Sequence, residues 1–240
     1  MVQLNGQTMS KSKGNIVDPD DMVVKYGADT CRLFTLFAAP PEKNMDWNES
    51  SVEGQYRFLS RLFRWVTRNQ DAPGGDGSTD ARALRKLHQT IRKVTADFDN
   101  RWHFNTSIAA LMELMNELAA SEAGLSADAR RECCEKLVLL LAPFAPFAAE
   151  ELWTGLGHPG PVFKQPWPVC NEDLAREDML EIPVQVNGKL RGKIAVPHGA
   201  PQSEIEAAAL AEPNVQTHTA GKTVAKLIVV PGKMVNIVVR

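Results

Sequence analysis

The sequence predicts a mainly α fold followed by a small α+β unit. Three observations carry that reading. Apolar residues recur at helical spacing from about residue 19 to residue 156, the period changes to two after residue 180, and a proline-bearing acidic stretch lies between the two regions. The 240 residues are 44% hydrophobic and 23% charged. That composition is ordinary for globular domains and excludes a mainly disordered, collagen-like or coiled-coil chain.

Asp18-Pro19-Asp20-Asp21 reads as a helix start, with a capping Asp, Pro in the first turn and acids at the positive end of the dipole. Tyr26-Gly27 ends that short helix. Asp29 is placed to cap the next one, which runs to Pro40-Pro41. A longer helix is expected over residues 49–69. The run Asp71-Ala-Pro-Gly-Gly-Asp-Gly-Ser-Thr-Asp80 then reads as a loop between two helices that pack together. Phe104, Ile108, Leu111, Met112, Met115 and Leu118 form one apolar face, with Glu113 and Glu117 off it. Helices over 127–141 and 146–155, broken at Pro143 and Pro146, complete a bundle of antiparallel neighbours. Glu172, Asp173, Glu177, Asp178 and Glu181 follow Pro166-Trp167-Pro168, which places a linker at residues 171–180. Beyond it, Ile182, Val184 and Val186 alternate into Asn187-Gly188, a hairpin turn. Ser203-x-x-Glu206 suggests a capping box for a short helix closed by Pro213, and strands are expected over 223–230 and 234–239 around Pro231-Gly232. The C-terminal unit is thus four or five strands and one helix.

No run approaches the roughly 20 apolar residues of a membrane span. The opening Met1-Val-Gln-Leu-Asn-Gly6 has no basic cap or apolar stretch of the secretory kind. Cys31, Cys133, Cys134 and Cys170 form no Cys-x-x-Cys pair and are expected to be reduced thiols in a cytoplasmic protein. The five histidines are scattered, so no metal site is expected. Lys and Arg number 27 against 29 Asp and Glu, a formal charge of −2. Any nucleic-acid role must therefore rest on local patches.

Three local patterns carry chemistry. In Thr8-Met9-Ser10-Lys11-Ser12-Lys13-Gly14-Asn15, hydroxyl residues alternate with lysines just before a helix start. Such a loop can offer ammonium and hydroxyl donors to a polyphosphate, or can simply be a solvated lysine loop. Arg57, Arg61, Arg64 and Arg68 are spaced four, three and four, which puts them within about 60° of one helix face. No acid lies between Gly54 and Gln70 to neutralise them. The row can follow a phosphate backbone or be an ordinary solvated face. Lys189, Arg191 and Lys193 alternate with Leu190, Gly192 and Ile194, which sends all three charges to one side of a strand, for RNA contact or for protection of a sheet edge. Trp65 and Trp102 could stack bases but, as aromatic residues in helices, are expected in the core; Cys133 and Cys134 are expected in packing and Glu150-Glu151 on a helix surface.

Met9-Ser10-Lys11-Ser12 resembles the KMSKS signature of class I aminoacyl-tRNA synthetases, with Thr8 in place of its first lysine. The continuation Lys13-Gly14-Asn15, Asp18-Pro19, Tyr26-Gly27-Ala28-Asp29 and Arg32-Leu33 resembles the stem after that signature in the leucine, isoleucine and valine enzymes. Pro41 to Trp47, Glu53-Gly54, the stretch Phe104 to Glu113, Leu141-Ala-Pro-Phe-Ala-Pro146 and Glu150-Glu-Leu-Trp153 are similar to the anticodon-binding bundle. Phe147 stands where a histidine is frequent and reads as a packing change. Val184 to Lys193 and Val230-Pro-Gly-Lys233 resemble the compact C-terminal domain of bacterial leucyl-tRNA synthetases, and this pair points to leucine.

The resemblance covers nearly the whole chain. It implies a KMSKS loop and helical stem over residues 1–45, an anticodon-binding helical bundle over 46–170, and a tRNA-binding α+β domain over 181–240. It implies ATP binding by Met9, Ser10, Lys11 and Ser12, with Lys11 as the catalytic group. The arginine row makes Arg57, Arg61, Arg64 and Arg68 candidate tRNA contacts, and the resemblance favours RNA contact for Lys189, Arg191 and Lys193. ATP with Mg2+ would be a substrate, and no prosthetic group is implied. No HIGH-like sequence and no Gly-rich nucleotide fingerprint are present. The catalytic and editing parts are expected upstream or on a HIGH-bearing partner chain, and no leucine activation is expected from this chain alone. It reads first as the C-terminal portion of a leucyl-tRNA synthetase, contributing to leucylation of leucine tRNA. The alternatives are a non-catalytic tRNA-binding module or a fragment without an independent role.

Overall fold

The structure is a computed structural model that describes residues 2–4, 6–40, 42–100, 102–177, 179–230 and 232–240. Pro41, Asp178 and Pro231, which figure in the expected helix end, acidic run and last turn, lie outside the described residues. The chain divides into two compact units, residues 1–175 and 176–240.

The first unit opens with strands β1 (Val2–Leu4) and β2 (Gln7–Thr8), which pair antiparallel; β3 (Met45–Trp47) joins β1 in parallel. Strands of two or three residues cannot display a period, so the sequence reading contains none of them. Helix α1 (Pro19–Tyr26) starts as expected, with the Asp18 carboxylate accepting from Asp20 N at 2.9 Å. Helix α2 (Ala28–Ala38) follows, and α3 (Glu49–Asn69) is capped by Asn48, which accepts from Ser50 N at 2.9 Å. Met22, Tyr26, Phe34 and Val52 make a small core where α1, α2 and α3 meet, and the Phe34 and Trp47 rings meet edge to face at 4.8 Å.

Helices α4 (Asp80–Asn100), α5 (Phe104–Ser121), α6 (Ala127–Leu141), α7 (Pro146–Gly155) and α8 (Glu172–Ala175) build the rest. The face read from the sequence is the face buried: Ile108, Leu111, Met115 and Leu118 join Leu62, Leu87, Ile91, Leu137 and Leu141 in one core. Each such side chain contributes about 1.5–3 kcal/mol by burial. Glu113 and Glu117, off that face, pair with Lys86 and Arg82 of α4.

The loop over 71–79 departs from expectation. The helices it joins are not principal neighbours: α4 packs on α5, α6 and α8, and α3 on α2, α5, α6 and α7. The loop lies instead on the turn between α5 and α6, where Thr79 Oγ1 donates to Ser121 O at 2.7 Å. Its glycines serve that approach, since a Cβ on Gly75 would lie 2.4 Å from Ala123 O.

One end of the first unit is fastened by a buried histidine. Asn171 N donates to His88 Nδ1 at 3.0 Å, so Nε2 carries the proton and faces Glu132 Oε1 at 3.2 Å. Burial, then the Lys136 ammonium, hold His88 below its ordinary range against the opposing pull of Glu132. A histidine with a depressed folded pKa binds its proton better when unfolded. Stability is therefore expected to fall as pH drops below about 6.5, before the carboxylates titrate. Urea midpoints at pH 7.5 and 5.5 check this, with H88Q flattening the difference.

The second unit is a four-stranded sheet in the order β5-β4-β7-β6, from β4 (Met179–Val186), β5 (Lys189–Pro197), β6 (Val224–Val230) and β7 (Met234–Val239). The inner pair β4 and β7 is parallel and the outer pairs are antiparallel. The β4–β5 turn is the expected one, with Asn187 at φ 48° and Gly188 at φ 78°. The Asn187 side chain also binds β7, donating to Val239 O at 3.2 Å and accepting from Val239 N at 3.0 Å.

Two helices pack here rather than one: α9 (Gln202–Ala211) and α10 (Pro213–Thr219). The expected capping box is absent, because α9 begins at Gln202 and Ser203 already lies inside it. α9 ends at Ala211, just before Pro213 as expected, and Pro213 also opens α10, with Glu212 as the cap accepting from Val215 N at 2.6 Å. A proline without an N–H suits a first helical position as well as a stop, so its direction depends on the next cap.

Candidate phosphate and nucleic-acid interfaces

The lysine loop leaves β2 and turns through a short 3₁₀ segment, Lys11–Lys13, whose side chains are exposed. Asn15 closes it: its Oδ1 accepts from Ser10 N at 2.9 Å and its Nδ2 donates to Thr8 O at 3.2 Å. Ser10 Oγ and Ser12 Oγ lie 2.8 Å apart, and Met9 N donates to Val2 O at 3.1 Å. Met9 and Ser10 are half-buried at the root while Lys11 and Ser12 reach solvent. The loop is thus a closed turn presenting ammonium groups outward, a geometry suited to an anionic ligand.

The stem that carries this loop is tied to the bundle by the Gly27-Ala-Asp-Thr-Cys-Arg32 stretch. Asp29 does not cap its own helix. It is buried, and its Oδ2 accepts from Ala148 N at 2.7 Å, so it caps α7, whose own cap position holds Ala145 and offers no side-chain acceptor. Burial raises the Asp29 carboxyl above its ordinary range against the pull of the Ala148 and Phe147 N–H groups and Arg32. Arg32 Nη2 donates to Pro143 O at 3.3 Å, a second tie to the α6–α7 turn. Neither partner is visible locally, because both lie more than a hundred residues along the chain. Phe147, expected in packing, is 69% exposed at this junction.

The four arginines of α3 are all exposed, as their spacing requires. They are not equivalent. Arg68 is held by Glu122 through bonds of 2.8 and 2.6 Å, and Glu122 also accepts from Asn69. Arg57 Nη1 lies 3.7 Å from Glu53, and Arg64 Nε donates to Ser60 O at 3.2 Å. Arg61 has no ion-pair partner among the described residues. The partner Glu122 is remote in sequence, so the apparent absence of neutralising acids is corrected in space. Arg57 and Arg64 line a cleft of about 550 Å³ with Tyr26, Thr30, Tyr56, Leu59, Ser60, Phe63 and Ala148. The sequence reading missed this cleft; its local signal was Tyr56 beside Arg57 on the same helix.

In the second unit, register overturns the expected one-sided face. Pro183 pairs with Lys193, Val184 with Gly192, Gln185 with Leu190 and Val186 with Lys189. The shift leaves Arg191 as an extra residue, a β-bulge. Directly opposed residues share a face, so Lys189 lies on the Val184–Val186 side and Lys193 on the Pro183–Gln185 side. The bulge accommodates α10: the Asn214 side chain donates to Arg191 O, and a Cβ on Gly192 would lie 2.4 Å from the Glu212 carboxyl carbon. Lys193 pairs with Glu181 at 2.9 Å. β5 is a sheet edge, so these cations also sit where edge pairing must be blocked.

Trp65 is 2% exposed and belongs to the core, whereas Trp102, expected there, is 65% exposed. Cys133 and Cys134 are buried, and burial pushes the Cys134 thiol up to about 12, so neither is a nucleophile. Glu150 accepts from Val162 N at 2.9 Å, a structural role.

The loop, the stem and the bundle correspond to known proteins. Residues 80–207 match the family model described as the anticodon-binding domain of tRNA ligase, and residues 1–48 match that of class I tRNA synthetases (I, L, M and V). The chain is 50% identical over 240 residues to a leucine–tRNA ligase of Solibacter usitatus and 51% identical over 249 residues to that of Thioalkalivibrio sulfidiphilus, covering 100% of this chain and 30% of each relative. Among solved structures it resembles that of the ternary complex of Agrobacterium radiobacter K84 agnB2 LeuRS with tRNA and LeuAMS, with a TM-score of 0.88, 33% identity, and coverage of 100% of this chain and 32% of that one. The chain therefore spans about 30% of the length of the curated relatives it matches, at their C-terminal end. With more than half of its length matched by the anticodon-binding domain model, this chain belongs to the tRNA ligase family that carries that domain.

Proposed function

We propose that this chain supplies the KMSKS loop and the tRNA-binding portion of a cytoplasmic leucine–tRNA ligase. The observation that carries the reading is the closed Met9–Ser12 loop, with Lys11 projecting to solvent, in a chain similar to leucine–tRNA ligases along its whole length. Residues 1–45 act as loop and stem, 46–170 as the anticodon-binding bundle, 171–180 as linker and 181–240 as a tRNA-contacting domain. In the first step the leucine carboxylate attacks the α-phosphate of ATP and pyrophosphate leaves. A hydroxyl of the terminal ribose of leucine tRNA then attacks the adenylate's carbonyl carbon, forming the leucyl ester and releasing AMP.

Lys11 stabilises charge on the transferring phosphate, while Ser10 and Ser12 shape the loop. Preorganised donors of this kind act without reorganising during the reaction. Residues 8–15 contain no carboxylate, so Mg2+ would arrive on the nucleotide rather than on this loop. The leucine pocket and the HIGH-bearing catalytic part belong to another portion or a partner chain, and this chain by itself is expected to show only background pyrophosphate exchange.

A titration of the purified chain with leucine tRNA and a non-cognate tRNA at two salt concentrations tests the binding half of the proposal. Tight, salt-dependent, leucine-preferring binding is expected; equal or absent binding would sink it. The arginines are expected to separate in the same assay. R61A removes a cation unpaired among the described residues, so it should weaken binding and reduce the salt slope by about 1 without moving the melting temperature. R68A removes the partner of Glu122, so its main effect should be on thermal stability, with a small change in RNA affinity.

A further inference from the structure

We propose that the cleft between α2, α3 and α7 seats a single unstacked nucleotide, its base on Tyr56 and its flanking phosphates on Arg57 and Arg64. The inference rests on the RNA-binding reading above and deepens it by naming a subsite. The cleft, about 550 Å³, falls within the roughly 300–1,000 Å³ of small-ligand sites. Its α3 wall is formed by residues 56, 57, 59, 60, 63 and 64, on one side of the helix. Arg57 and Arg64 are seven residues apart, about 10.5 Å along the axis, so they stand at the two ends of the opening rather than side by side.

Leu59, Ser60 and Phe63 form the wall between them, and Tyr56 stands beside Arg57 at one end. Tyr56 is 47% exposed, and its ring is tilted 59° to that of Tyr26 at 5.9 Å, so Tyr26 does not cover it as a parallel stack would. The charges at the opening favour an anion. Glu49 is taken by Lys25 at 2.6 Å, and Glu53 holds Arg57 only loosely at 3.7 Å, a weak exposed pair that a phosphate can displace. Arg64 keeps its terminal nitrogens available while Nε bonds Ser60 O. A bare row of arginines would track phosphates without preference. An exposed aromatic ring beside the first of them, at one end of the cleft, instead takes a base out of its stack. The same chemistry would accept a free nucleoside monophosphate, which is the other source of such a ligand.

The test uses the full 240-residue chain, with leucine tRNA in one arm and AMP or UMP in the other. Y56A is expected to weaken tRNA binding about tenfold or more with the salt slope unchanged, because stacking releases no counterions. Y56F is expected to bind like the unmodified chain. S60W, which fills the cleft, is expected to match Y56A; it keeps the test valid should Y56A unfold by circular dichroism. If the unmodified chain binds tRNA and both Y56A and S60W bind equally well, the subsite is overturned while the RNA-binding reading stands. If the chain binds no tRNA but saturably binds the mononucleotide, and Y56A abolishes that, the RNA-binding reading fails and the cleft chemistry stands with a free nucleotide. Binding in neither arm overturns both.

Discussion

Replacing Lys11 by alanine in a leucine–tRNA ligase carrying this segment is expected to lower kcat for leucine-dependent pyrophosphate exchange about 10²–10³-fold, with little change in the KM for leucine. The segment can be placed in the Solibacter usitatus relative, to which it is 50% identical. The size follows from the role proposed: one preorganised cation aimed at charge that develops in the transition state. The location makes the test clean. Lys11 is exposed in a turn held by Asn15, Thr8 and Val2, so its removal leaves the fold untouched and the melting temperature unchanged. K11R keeps the charge but not the compact ammonium and is expected to recover only part of the rate. A K11A enzyme within threefold of the parent rate would refute the role.

Replacing Asp29 by alanine is expected to give the largest stability loss of any single polar change in the stem, about 1–3 kcal/mol, because it leaves the first turn of α7 without its acceptor in a buried setting. D29N separates the hydrogen bond from the charge. It retains an oxygen for Ala148 N–H and buries no ion, so its loss should stay within about 1 kcal/mol. The pH dependence follows from the raised carboxyl. The folded state holds the Asp29 proton more tightly than the unfolded chain, so a proton-linked increment of stability is complete below about 3.8 and is lost as pH rises through the folded value, while the bond from Ala148 N to the carboxylate remains. D29N should remove that component. Urea titrations measure the loss, and hydrogen exchange over residues 18–38 reports whether the stem loosens from the bundle. Equal stability of D29A and D29N would show that the cap contributes nothing.

What was legible in the sequence is what is local. The cap at Asp18, the turn at Asn187-Gly188, the buried face from Ile108 to Leu118 and the exposure of Lys11 each depend on residues within a few positions of one another. The misreadings share the opposite property. Ser203 carries a cap signal but lies inside α9, which starts after Pro201, and the second helix that Pro213 opens depends on the Glu212 cap. The strands Val2–Leu4, Gln7–Thr8 and Met45–Trp47 are too short for periodicity and exist because a remote segment pairs with them. Trp102 and Phe147 look like core residues by type, but their positions at an interhelical turn and a helix start leave their side chains in solvent.

By itself, the sequence determined the two classes of secondary structure, the residues of the main core, the lysine loop and the resemblance that connects them to tRNA ligases. Only the tertiary structure decided which charges are free to act. It paired Arg68 with Glu122, left Arg61 unpaired among the described residues, set Arg57 and Arg64 around an aromatic cleft, turned Lys189 and Lys193 to opposite faces through the bulge at Arg191, and gave Asp29 to a different helix from its own. The reason is physical. Hydrophobic periodicity and caps act over a turn or two of chain, whereas ion pairing, strand register and burial depend on distances between segments that only folding brings within reach.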